Sequence, residues 1–182
     1  MTQYIALLRG INVGGKNKIK MADLREALTN VGLAKVQTYI QSGNIILESN
    51  EDEATVRTII EHTIEKEFAL SIKTVIRTSE QFKKIVKNCP FSDEQIAEVA
   101  ANSETESLYV AMLRDEPKIE RIEKLHSFDF GDDQYSIAGR DVFLLFGQSI
   151  RNSKLAVHVE KLGGPITTRN WKTMNKLIEL LN

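Results

Sequence analysis

The segment Tyr4-Ile5-Ala6-Leu7-Leu8-Arg9 returns in the second half of the chain as Tyr109-Val110-Ala111-Met112-Leu113-Arg114, matched position by position. A run of apolar residues ending in arginine reads as a buried strand, and its return with similar downstream grammar constrains the chain to two copies of one unit. The elements that follow each copy define that unit.

After Leu8 comes a loop with Gly10, Gly14 and Gly15, and then Met21, Leu24, Leu28 and Val31 recur on one helical face, with Gly32 placed as a left-handed C-cap. Residues 35–48 read as two strands joined at Ser42-Gly43-Asn44, where glycine supplies the positive φ of a tight hairpin. Asn50 and Glu53 form a capping box for a second helix that turns Val56, Ile59, Ile60 and Ile64 inward, and a strand near 72–77 completes β-α-β-β-α-β. This is the ferredoxin-like order. Thr78 with Gln81 and Ser92 with Gln95 cap two further helices, the first carrying Phe82, Ile85 and Val86 and stopped by Pro90.

In the second half Pro117 stands near N1 of a helix with Ile119, Ile122 and Leu125. Tyr135 and Gly139 repeat the spacing of Tyr39 and Gly43. Leu155, Val159 and Leu162 mark a helix closed by Gly163, Gly164 and Pro165, and the last strand shrinks to about 166–168. A final helix stripes Trp171, Met174, Ile178 and Leu181 on one face and has no partner in the repeat. The expected fold class is α+β, an internal duplication of a ferredoxin-like βαββα(β) unit with an extra C-terminal helix. The expected domains are a first subdomain at 1–78, a helical, acidic connector at 79–106, and a second subdomain with the last helix at 107–182.

With 182 residues, 42% hydrophobic and 27% charged, the chain is long enough to bury a true core. The single Cys89 excludes an intrachain disulfide, and with no export signal at residues 1–10 it points to a reducing, cytoplasmic setting. No apolar stretch approaches the roughly 20 residues that cross a bilayer, so no membrane partner is expected. Net charge is −1, which gives no general attraction to nucleic acid. Local charge is uneven, however: Arg9, Lys16, Lys18 and Lys20 stand on a stretch without a single acid.

That stretch contains Gly10-Ile11-Asn12-Val13-Gly14-Gly15-Lys16-Asn17, which satisfies the G-x-x-x-x-G-K pattern of phosphate-binding loops directly after a strand. Asn17 lacks the hydroxyl that reaches Mg²⁺, and the helical period starts only at Met21, so nucleotide hydrolysis is not expected. A Gly-rich connector with solvated lysines and an anion-contacting loop both remain open. A second cationic segment, Arg169-Asn170-Trp171-Lys172, opens the last helix. Asn170 is a good N-cap there, and Trp171 shares the face of Met174 and Ile178, which favours burial over base stacking.

Gln41, Ser42 and Asn44 are explained by turn chemistry alone. Asp129-Phe130-Gly131 echoes a kinase magnesium motif without the catalytic-loop and strand partners that motif requires. His62, His126 and His158 are too scattered for a metal site, and Cys89 has no neighbouring histidine to activate it. No metal and no cofactor are expected.

Through "ALLRGINVGGKNKIKMADLR", "TYIQSGNI", "SKL" and "TTRNWKT" the chain resembles the bacterial domain of unknown function family 1697 from end to end. The resemblance implies a duplicated α+β fold, a bacterial cytoplasmic origin and no established activity, and it carries no catalytic residues over. The leading functional expectation is a non-enzymatic protein that contacts a phosphate-bearing partner, nucleic acid or nucleotide. Its contacts would come from Arg9, Asn12, Gly14, Gly15, Lys16 and Lys18 together with Ser42, Asn44, Arg169 and Asn170. An enzyme on a small anionic substrate, with Arg9, Ser42, Asn44 and Asn170 as polar groups, is the first alternative. A structural or homo-oligomeric protein, such as a homodimer, is the second.

Overall fold

The computed structural model describes residues 1–103 and 105–181. It divides into two compact units, one of Met1–Lys84 with Leu181 and one of Ile85–Leu180. Each holds a four-stranded antiparallel sheet.

In the first unit, β1 (Thr2–Leu8), α1 (Met21–Asn30), β2 (Ala34–Tyr39), β3 (Asn44–Ser49), α2 (Glu53–Phe68) and β4 (Thr74–Thr78) follow in order, and the sheet runs β2-β3-β1-β4. α3 (Ser79–Lys87) and α4 (Asp93–Ala100) come next. In the second unit β5 (Leu108–Leu113), α5 (Ile119–His126), β6 (Gln134–Ala138), β7 (Asp141–Leu145), α6 (Lys154–Val159), β8 (Ile166–Asn170) and α7 (Trp171–Leu180) give the sheet β6-β7-β5-β8. Both are the ferredoxin-like arrangement, in which the first strand of the unit sits between the third and fourth. Among the described residues, no helix is long and apolar enough to cross a membrane.

The central strands explain why the repeated hexapeptides are apolar up to their closing arginine. Strand residues alternate between faces, and one face of the first sheet carries Tyr4, Ala6, Leu8, Ile45, Leu47 and Ile76 against Leu24 and Leu28 of α1 and Val56, Ile60 and Ile64 of α2. The opposite face carries Ile5, Leu7, Ile46, Val75 and Arg77, all buried as well. In the second unit Ala111, Leu113, Val142, Leu144 and Ile166 meet Leu125, Leu155 and Val159. Each fully buried aliphatic side chain contributes about 2 kcal/mol.

The register makes the duplication residue-specific. Tyr4 lies between Leu47 and Thr78, and Tyr109 between Leu144 and Asn170. Arg77 opposite Ile5 therefore corresponds to Arg169 opposite Val110. Past the strand ends, Leu8 N donates to Gly43 O at 2.9 Å and Leu113 N to Arg140 O at 2.8 Å. Gly43 thus corresponds to Arg140, not to Gly139. The Tyr-to-Gly spacing is shared by the two hairpins in sequence alone, because the first is joined by residues 40–43 and the second by Gly139 and Arg140 only.

Other local expectations shift for physical reasons. Asp52, not Asn50, caps α2, its Oδ1 accepting from Thr55 N at 2.8 Å. Residues 50 and 51 are taken up by the turn out of β3, where Ser49 Oγ accepts from Glu51 N and Tyr4 OH donates to Glu51 O. α5 starts at Ile119 on Lys118 as N-cap, so Pro117 precedes the cap, and Ile119 is 71% exposed in the first turn. Val31 points out as the C-cap of α1. β8 extends to Asn170, the same length as β4. α7 lies beyond the six-element order, and α3 follows β4 as α7 follows β8, so the last helix does have a counterpart in the repeat.

Candidate functional site

The glycine- and lysine-rich loop after β1 owes its shape to two asparagines in the left-handed region, Asn12 at φ 54° and Asn17 at φ 50°. Short amide side chains tolerate that region by bonding to nearby backbone. Asn12 N donates to Asn17 O at 3.1 Å, and Asn17 Nδ2 donates to Gly10 O at 2.9 Å. Between them Lys16 N donates to Val13 O at 3.0 Å across Gly14 and Gly15, both with positive φ, as a type I′ turn requires. The glycines of the apparent phosphate-binding motif therefore turn the chain back on itself. α1 begins at Met21, well beyond the lysine of the motif.

Asn12 holds the loop in place. Its Oδ1 accepts from Ile19 N at 2.9 Å, while Nδ2 donates to Ile19 O at 3.0 Å and to Gln41 O at 2.8 Å. The last bond ties the loop to the β2–β3 hairpin. That hairpin is stapled by Asn44, which is fully buried and donates from Nδ2 to Tyr39 O and to Ser42 Oγ, both at 2.9 Å. Gly43 has φ 84°, and a Cβ there would lie 2.7 Å from Ile11 Cδ1 and 2.8 Å from Leu8 Cβ. Gly43 is thus the one residue that fits between the strand end and the loop.

Loop and hairpin enclose a cleft of about 620 Å³, within the range of small-molecule sites. Asn12, Gly15 and Lys18 line it with Gln41. Ile19, Asp23 and Phe68, which sequence reasoning did not place there, complete the lining with Lys20, the last cation of the loop from Arg9 to Lys20 on which it put the contact surface. Lys20 is the N-cap residue of α1 and its side chain makes no capping bond, so the first-turn amides add positive partial charge that Asp23 partly offsets. Phe68, half-buried against the core, ends α2, and Ala69 follows as a left-handed C-cap. Phe68 continues the i, i+4 spacing of Val56, Ile60 and Ile64, and that periodicity is the sequence signal that places it on the inner face of α2.

Backbone strain gathers at this cleft. Asn12, Asn17, Ile40 and Ala69, four of the five non-glycine residues with positive φ among the described residues, line it or adjoin a lining residue. Ile40, at φ 49°, is the costly one, since a β-branched side chain clashes in that region. Strain of this kind persists only where surrounding structure fixes it, and it clusters at functional sites.

The remaining candidates are placed as follows. Arg9 and Lys16 are exposed on the loop outside the cleft lining, as is Gly14. Arg169 and Asn170 belong to the second unit. Arg169 is buried, with Nη1 donating to Thr167 Oγ1 at 2.7 Å and Thr168 O at 3.1 Å, and burial pushes its guanidinium down to about 10, still charged at neutral pH. Asn170 Oδ1 accepts from Thr173 N at 2.8 Å in N-cap geometry. Trp171 is half-buried.

Gly131 N donates to Asp129 Oδ1 at 2.9 Å, so Asp129-Phe130-Gly131 is a turn. Cys89 is half-buried, and desolvation raises its thiol above the ordinary range, away from a ready nucleophile. Among the described residues, no group of three or more His, Cys, Asp or Glu is placed to hold a metal ion.

The family described as "Protein of unknown function (DUF1697)" matches residues 1–143. The conserved bacterial protein SP0830 from Streptococcus pneumoniae has a similar structure, with a TM-score of 0.76 and 30% sequence identity over 100% of this chain and 99% of that one. Among curated proteins, none matches the chain.

Proposed function

We propose, for a chain that belongs to the family of proteins of unknown function DUF1697, that the cleft beside Asn12 binds a phosphate-bearing ligand, a nucleotide or a short single-stranded nucleic acid, without chemically altering it. The observation that carries this reading is the pairing of Lys18 and Lys20 with Ile19 and Phe68 in one cavity. Ammonium groups supply charge for phosphate, and an apolar floor with an aromatic ring suits the flat face of a base. Gly15, bare of side chain at the rim, allows close approach of the ligand to backbone. Arg9 and Lys16, exposed on the same loop, extend the positive field toward a longer strand. The single thiol Cys89 fits a cytoplasmic setting for such a protein.

Titrating a fluorescent single-stranded oligonucleotide and a labelled nucleoside triphosphate into the full chain, monitored by anisotropy between low and moderate salt, tests the idea. With two lysines in contact, the log–log salt slope for the single strand is about −1.4. Lys18→Glu with Lys20→Glu removes most of the affinity while leaving the circular dichroism spectrum unchanged. Absence of binding at low salt, or binding indifferent to salt and to the double substitution, overturns the proposal.

A further inference from the structure

We propose that the second unit carries a separate oxyanion site, a small pocket between α5 and the end of α6 in which Arg121, Lys124 and Lys161 take the phosphate group of a small molecule. It stands independently of the cleft in the first unit. The pocket measures about 90 Å³, roughly the space of three waters, which suits one phosphate group and leaves a nucleoside outside.

Two segments converge on it. On α5, Arg121, Lys124 and Leu125 recur at i, i+3 and i+4 and so share one face, with Phe128 just past the helix end and Glu120 and Glu123 beside that face. His158 and Lys161 face it from the second segment. A solvated cationic face ordinarily collects counter-charges, as Lys35 does from Glu48 and Lys176 from Glu179, both at 3.1 Å. Among the described residues, no carboxylate is paired with Arg121, Lys124 or Lys161. Three like charges around one concavity repel each other unless an anion sits among them.

The walls are also held before any ligand arrives. Arg121 Nη1 donates to Lys161 O at 3.3 Å and joins the two segments. His158 bonds through Nδ1 to Lys154 O at 2.8 Å; the carbonyl accepts, so Nδ1 carries the proton and the ring orientation is fixed. The Phe128 ring rests 4.2 Å from that of His158, and buried Leu125 gives an apolar floor that strengthens charge interactions. A cation-lined, apolar-floored pocket in which Arg121 and His158 are held in place is suited to a tetrahedral oxyanion.

The test is a ¹H–¹⁵N NMR titration of the full chain with inorganic phosphate, against sodium chloride at matched ionic strength, followed by a nucleoside 5′-monophosphate. The expected result is saturable shifts at the amides of residues 121–128 and 158–161 with both phosphates and not with chloride. Lys124→Gln with Lys161→Gln raises the concentration needed at least tenfold, whereas Lys18→Glu with Lys20→Glu leaves it unchanged. Arg121 is left intact because it also binds the Lys161 carbonyl, and overlay of the unperturbed amides verifies that each variant is folded. Absence of shifts with both phosphates, or shifts that do not saturate, that chloride reproduces or that survive the double glutamine substitution, overturn the site.

Discussion

Asn12, Asn44 and Gly43 are small residues whose surroundings decide their meaning. In sequence, two asparagines and a glycine near lysines read equally as ligand contacts or as turn formers. In the fold, Asn12 bonds to Ile19 and Gln41, and Asn44 to Tyr39 and Ser42. Gln41 lies far from Asn12 along the chain, so no local pattern announces the bond. Gly43, by contrast, was legible as a positive-φ turn residue, although its contact with Leu8 and Ile11 was not. Gly43→Ala combines left-handed strain with overpacking and costs about 3 kcal/mol. Chemical denaturation measures this directly, and a change below about 1 kcal/mol would show that loop and hairpin yield easily.

At the level of elements, capping signals were informative where chain geometry left one choice and misleading where two competed. Thr78 with Gln81 and Ser92 with Gln95 form reciprocal caps, as their spacing predicts. Asn50 with Glu53 has capping-box spacing, but the turn out of β3 takes up residues 50 and 51 and Asp52 is the cap. Asn170 carries a prediction of this kind. As the N-cap of α7, Asn170→Ala lowers stability by about 1 kcal/mol, and Asn170→Asp retains most of it. Urea midpoints of the two variants decide the matter: equal, unchanged midpoints would mean the side chain serves something other than the helix.

On the scale of the whole molecule, the duplication pairs Arg77 with Arg169. Both are buried, and Nη1 of each donates to the carbonyl of the preceding residue. Removing either guanidinium leaves buried acceptors short of a donor, so Arg77→Ala and Arg169→Ala each cost roughly 3 kcal/mol. Thermal unfolding of the pair checks the equivalence; a stable Arg169→Ala variant with altered ligand binding would assign Arg169 to a site instead. The sequence reading singled out Arg169 for its cationic neighbours and passed over Arg77, which has the same place in the register but lies among apolar residues.

What sequence alone determined was the repeat, the α+β class, the element order and the N-caps of α3, α4 and α7, since periodicity, propensity and turn chemistry act over a few residues. Tertiary structure decided that Gly43 answers to Arg140, that α7 answers to α3, and that Lys18, Lys20 and Phe68 share one cleft. Those facts depend on strand register and on contacts between residues distant in the chain, where packing selects among local possibilities that are nearly equal in energy.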